Sequence, residues 1–160
     1  EMCIRDSHGE RGLGSYMRDV RVTVLGTAQD GGVPQPGCAR ECCLRVRGND
    51  ALRRHPVSLG IVGADGSTHL IEASRAMGEQ FEIWHSIDSV EGELSSVSIT
   101  HAHLGHVDGL GLFGKEAMGA KNLTIHCSQS VANLIERNQE IFFLKMQKRL
   151  LRNQESLKNW

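Results

Sequence analysis

The sequence predicts an α/β layered fold, and two observations carry that prediction. β-branched stretches at the front of the chain alternate apolar and polar residues with period two, and a pair of them flanks an Asp-Gly turn. Further along, short strand-like stretches are each followed by segments whose apolar residues recur at helical intervals. At 160 residues and 39% apolar composition, the chain is long enough for one domain with a packed core. A formal net charge of -1 excludes a broad electrostatic footprint, so no nucleic-acid partner is indicated. No apolar run reaches the roughly 20 residues a bilayer span requires, so no membrane span is expected.

The elements follow in order. "VRVTVLGT", residues 20–27, alternates valines with polar residues and reads as a strand ending in a loop. "AQDGGVPQPGCARECC" is rich in Gly and Pro without an apolar period and reads as a loop. "PVSLGIVG" and "THLIEAS" form a hairpin around "ADGS". "GEQFEIWHSI" is a short amphipathic helix, and "LSSVSIT" is a strand that delivers the chain into "HAHLGH". In "VDGLGLFGKEAMGA" the spacing of Leu110, Phe113 and Ala117 predicts a helix closed by Gly119. "NLTIHC" is a further strand. From Ser128 onward Val131, Leu134, Ile135, Ile141, Phe142 and Met146 predict a long helix, with Lys145, Lys148, Arg149 and Arg152 on its solvated face.

The chemistry concentrates in "SITHAHLGHVDGLG". Three imidazoles within six residues repel one another whenever they protonate, so the crowding calls for a compensating ligand. In an extended segment His101 and His103 project to the same side, which makes a ready chelate, and His106 follows after a short turn. Zinc and similar ions accept neutral imidazole nitrogen and can leave one position open for water, whose pKa falls to about 7.

"THAHLGHVDGL" is similar to the His-x-His-x-Asp-His signature of the metallo-β-lactamase superfamily. "VLGTAQDGGVPQPGC", with its nearby cysteines, and "THAHLGHVDGLGLFGKEAMGAK" together resemble the family around pyrroloquinoline quinone biosynthesis protein B, over about residues 20–126. The resemblance implies an αββα sandwich, of which residues 17–160 would be the N-terminal portion. It also implies that His101 and His103 hold a first metal and His106 a second. Gly105 stands where the family has an aspartate serving the second metal. One tight zinc or iron site is therefore favoured over two, and Gly105→Asp is expected to strengthen the second. Asp108 reads as a residue supporting the ligands from behind, its charge complementing a helix N-terminus. The superfamily's later ligands would lie downstream, and no histidine follows His126.

Cys38, Cys42 and Cys43 follow a Cys-x3-Cys-Cys pattern, which in relatives looks like a structural zinc site; buried free thiols are the alternative. His55, His126 and Cys127 are eligible as a fourth ligand, although His126 reads more simply as a packed histidine. Clustered cysteines also suit reduced thiols and a cytoplasmic location, unless an upstream signal peptide precedes the chain. Asp30, in "QDGG" at a strand end, is the candidate catalytic carboxylate, with turn chemistry as the bland alternative. Glu72, at another strand end, reads as structural or as a support to the ligands.

"EMCIRDS", residues 1–7, resembles the conceptual translation of a transposase sequencing adapter, residues 8–16 read as a leader, and Met17 as the natural start. The functional expectation is a hydrolase of a small-molecule substrate, using a metal-activated water and inactive as this fragment alone. An oxidative enzyme of quinone-cofactor biosynthesis with a redox metal is the alternative. A metal-binding scaffold without catalysis is the second.

Overall fold

The computed structural model describes residues 19–91 and 93–137. The adapter-like and leader residues, Met17, and the far part of the expected C-terminal helix, with Ile141, Phe142, Met146, Lys145, Lys148, Arg149 and Arg152, lie outside the described residues.

Among the described residues five strands, β1 (Arg21–Gly26), β2 (Ser58–Val62), β3 (Thr68–Ile71), β4 (Ser96–Ser98) and β5 (Thr124–His126), form one sheet in sequential order. The first three are antiparallel, whereas β4 and β5 are added in parallel. Chain chemistry explains the change. Between β2 and β3 a tight turn suffices: Gly66 takes φ +85, and Asp65 Oδ1 accepts hydrogen bonds from the Ser67 amide and hydroxyl at 2.9 and 2.6 Å. Parallel pairing needs a crossover. α2 (Met77–Asp88) supplies the one from β3 to β4, and residues 99–123 supply the next.

Strand register sorts the side chains into two faces. Thr23, Gly60, Leu70, Val97 and Ile125 lie in one row across the sheet, and all are buried. α2 packs on this row, with the Trp84 indole lying on Gly60 so closely that a Cβ there would come within 2.4 Å of it. Leu110, Phe113, Val131 and Ile135 complete the core, the last two from α4 (Gln129–Arg137). On the opposite face Val22 and Val24 are 59% and 57% exposed, and Leu59, Ile61 and Ile71 are half-buried. This open face is the one on which a sandwich would carry its second sheet. The α2 C-terminus is tied to β1 through Asp88, which accepts hydrogen bonds from Thr23 Oγ1 and from Arg21 Nε, the latter at 2.7 Å. Burial pushes the Asp88 carboxyl up, but these partners outweigh it and hold it below the usual carboxylate value.

Two local expectations are corrected. The cysteine loop ends in a single helical turn, α1 (Glu41–Leu44). The glycine-rich segment after the histidines is a short helix, α3 (Leu104–Val107), followed by a 3-10 turn at Leu110–Phe113, in place of one continuous helix. Gly109 causes the break. Its amide donates to Ala73 O at 2.9 Å instead of continuing the helical ladder, and a Cβ on it would lie 2.1 Å from Ser74 O. Gly119, at φ +56, closes the turns that follow, donating to Gly114 O at 2.8 Å. Among the described residues no helix is long and apolar enough to cross a membrane.

Candidate metal centre

β3 and β4 end side by side, and the residues immediately beyond them build the site. Glu72 follows β3 in the left-handed region, φ +68, which costs an L-residue other than Gly or Asn about 1–2 kcal/mol. What holds it there is hydrogen bonding. Its amide donates to Ser98 O at 2.9 Å, and its carboxylate oxygens accept from the Thr100 amide at 3.2 and 3.4 Å. Glu72 thereby fixes the residue before His101. Across the same gap Ala73 N donates to His106 O at 3.0 Å, and His106 N donates to His103 O at 3.0 Å, which folds the motif back on itself.

The outcome is a compact ring cluster. The His101 and His106 ring centroids are 4.0 Å apart, and His103 stands edge-on to His101 at 4.6 Å. His106 is buried between two carboxylates: Nδ1 lies 3.1 Å from Glu72 Oε2, and Nε2 lies 3.4 Å from Asp30 Oδ1. The Glu72 approach is not aligned as a hydrogen bond, so His106 Nδ1 is a buried nitrogen without a hydrogen-bond partner. Glu72, His101 and His106 each offer a ligand atom within 4.8 Å of the other two. His103 is solvent-exposed and outside that group. Two imidazoles and a carboxylate, with one buried nitrogen unsatisfied, are a donor set that fits zinc or iron.

Two expectations about the motif's neighbours change. Asp108 is at the C-terminal end of α3, not at a helix N-terminus, and its Oδ2 pairs with Arg75 Nη2 at 2.7 Å. Burial raises its carboxyl and Arg75 opposes that shift. The helix begins at Leu104, ahead of Asp108, which removes the dipole role. Gly105 has no room for the aspartate the motif led us to expect there: a Cβ on it would lie 2.5 Å from Asp30 Cα. Strengthening a metal position through Gly105→Asp is therefore no longer expected.

Cys38, Cys42 and Cys43 also converge, with their sulfurs within 4.8 Å of one another. Cys43 is buried and its Sγ accepts from the Gln35 amide at 3.4 Å; Cys38 is half-buried and Cys42 exposed. None of His55, His126 and Cys127 belongs to this group. His126 is exposed at the end of β5, contrary to its reading as a packed histidine, and burial raises the Cys127 thiol. Sequence reasoning placed Glu72 behind the ligands and left its contact with His106 unseen; its strand-end position was the available signal.

This sheet, with helices on one face and histidine-bearing loops at the ends of β3 and β4, is part of a metallo-β-lactamase fold. No family model and no curated protein matches the chain. Among solved structures, Zn(2+)-bound PqqB from Methylobacterium extorquens superposes with TM-score 0.68 at 23% identity, over 83% of this chain and 44% of that one. A diphosphatase from the PhnP family gives TM-score 0.57 at 21% identity, over 78% of this chain and 47% of its own. A metallo-beta-lactamase candidate from Thermotoga maritima gives 0.50 at 15% identity, covering 84% and 58%. The chain thus spans about half the length of these neighbours.

Proposed function

We propose that the protein is a metal-dependent hydrolase of a small-molecule substrate, and that this chain carries the first half of its metal centre. The observation that supports this most is the convergence of Glu72, His101 and His106, each offering a ligand atom within 4.8 Å of the other two. The diphosphatase and metallo-beta-lactamase neighbours favour hydrolysis as the reaction class. His101 and His106 would hold zinc or iron, and His103, edge-on to His101 at 4.6 Å, would join them by a turn of its exposed side chain. Bound there, such an ion lowers the pKa of a coordinated water and offers positive charge to a developing oxyanion.

The chain's own residues prepare that position. Thr100 Oγ1 lies 2.9 Å from His101 Nδ1, which fixes the ring and leaves its Nε2 for a ligand. Glu72 restrains His106 from the Nδ1 side and, through the Thr100 amide, holds the strand end that carries His101. Asp108, paired to Arg75, supports the end of the turn bearing His106.

The test is metal content and turnover of the full-length protein containing this chain. Zinc or iron should co-purify and fall together with ester or phosphodiester hydrolysis in His101→Ala and His106→Ala. Unchanged metal content in both variants would overturn the reading. Oxygen consumption by the iron form without hydrolysis would favour oxidative chemistry instead.

A further inference from the structure

The motif's missing carboxylate has a spatial substitute. Built on Gly105, a Cβ would meet Asp30 Cα at 2.5 Å, Cβ at 2.6 Å and Cγ at 2.8 Å. Unbonded carbons settle at about 3.5–4.0 Å, so a side chain at 105 and the one at Asp30 compete for the same volume. Asp30 fills it from the loop after β1, and its carboxylate reaches the nitrogen of His106 that faces away from Glu72.

The distance discriminates between two roles. At 3.4 Å, Asp30 Oδ1 to His106 Nε2 exceeds the usual hydrogen-bond range of about 2.7–3.2 Å. Two donors each about 2.1 Å from one tetrahedral ion stand about 3.4 Å apart. The loop is also held on both sides of Asp30. Thr27 and Ala28 donate to His55 O at 3.1 and 2.9 Å, and Val33 and Arg54 exchange backbone hydrogen bonds at 2.8 and 2.9 Å. Within it, Gly32 N donates to Gln29 O at 2.8 Å, and Gln29 Oε1 accepts from the Gly31 amide at 3.0 Å. A carboxylate carried on so restrained a turn, 41% exposed and facing a buried imidazole, is placed to bind rather than to solvate the loop.

We propose that Asp30 is the carboxylate ligand of the metal position at His106, delivered from the β1 loop in place of the motif residue at 105. This rests on the reading of His101 and His106 as metal-holding. It removes the ligand deficit on which the expectation of a single tight site was founded: the His106 position has its anionic oxygen, supplied by a different element.

The experiment compares zinc affinity by competition with a chromophoric chelator, and the visible spectrum of the cobalt(II) form, across variants of the full-length protein. Loss of even an outer partner of a metal ligand weakens binding about 10–100-fold. Asp30→Ala and Asp30→Asn should therefore lose at least that much at one position and alter the cobalt spectrum, while their metal-free circular dichroism stays unchanged. Gly105→Ala, which adds one carbon against Asp30, should weaken the same position. Asp50→Asn, in an exposed pair with Arg53, should change nothing. Unaltered affinity and spectrum in both Asp30 variants, with His106→Ala still losing metal, would overturn the assignment and leave the metal centre standing. Full retention of metal in His101→Ala and His106→Ala would overturn the underlying reading instead.

Discussion

Cys38, Cys42 and Cys43 meet within one loop and its single helical turn, whereas Glu72, His101 and His106 meet only because the sheet sets the ends of β3 and β4 side by side. The first cluster closes short loops and needs little of the fold around it. The second depends on the parallel register of Ile71 with Ser98, without which Glu72 would not reach Thr100. A locally closed cluster is readable from spacing alone, and its integrity tests only its own loop. A cluster assembled across strands reports on the whole sheet, and a lesion there should cost folding as well as metal.

Four substitutions sharpen that contrast. The largest effect is expected from His106→Ala, which leaves the buried Glu72 carboxylate facing empty space. Leaving a buried polar group without its neighbour costs about 1–3 kcal/mol, and Thr100 still donates to Glu72. Urea denaturation of the metal-free protein measures it, and a loss under about 1 kcal/mol would mean that the cluster does not hold the strand ends together.

Cys43→Ala comes next. Cys43 is 3% exposed, so truncation should cost about 1–2 kcal/mol without metal, with the damage confined to the loop. Hydrogen exchange should show faster opening around α1 and unchanged protection in β3 and β4. Spread of the effect into the sheet would dissolve the distinction between the two clusters.

Asp88→Asn gauges an ordinary carboxylate against Glu72 and should cost about 1 kcal/mol near neutral pH. Because the folded carboxyl titrates below its unfolded value of about 3.9, its contribution is complete above that value. It disappears as pH falls through the lower folded one. Equal stability of parent and variant at pH 7 would remove Asp88 as a reference. The smallest effect belongs to Cys42→Ala. Its side chain is exposed, and the metal-free protein should change by less than about 0.5 kcal/mol. Urea denaturation of the metal-free protein measures it.

The strands, the hairpin, α2 and the three histidines were legible because each is announced within about ten residues by period, turn chemistry or spacing. What escaped the sequence depends on partners far along the chain. Gly109 ends α3 because its amide donates to Ala73 O and Ser74 O fills the space a side chain would need, and Asp108 turns to Arg75, so neither the break nor the ion pair has a local signature. Glu72 adopts a left-handed backbone only because strand β4 lies beside it. The β1 loop was recognised as a candidate by its Gly and Asp content, but its meeting with Gly105 follows from folding the sheet.

That meeting has an evolutionary reading. Since positions 30 and 105 share one volume, they form a single inherited character rather than two. Lineages that keep an aspartate inside the histidine motif should carry a residue without a side chain, or a displaced loop, opposite it. Lineages with glycine in the motif should carry the acid in the loop. Passing between the two arrangements one substitution at a time crosses either a clash or a centre short of one charge, so intermediates should be scarce, and an alignment deep enough to contain both forms would show the two positions changing together.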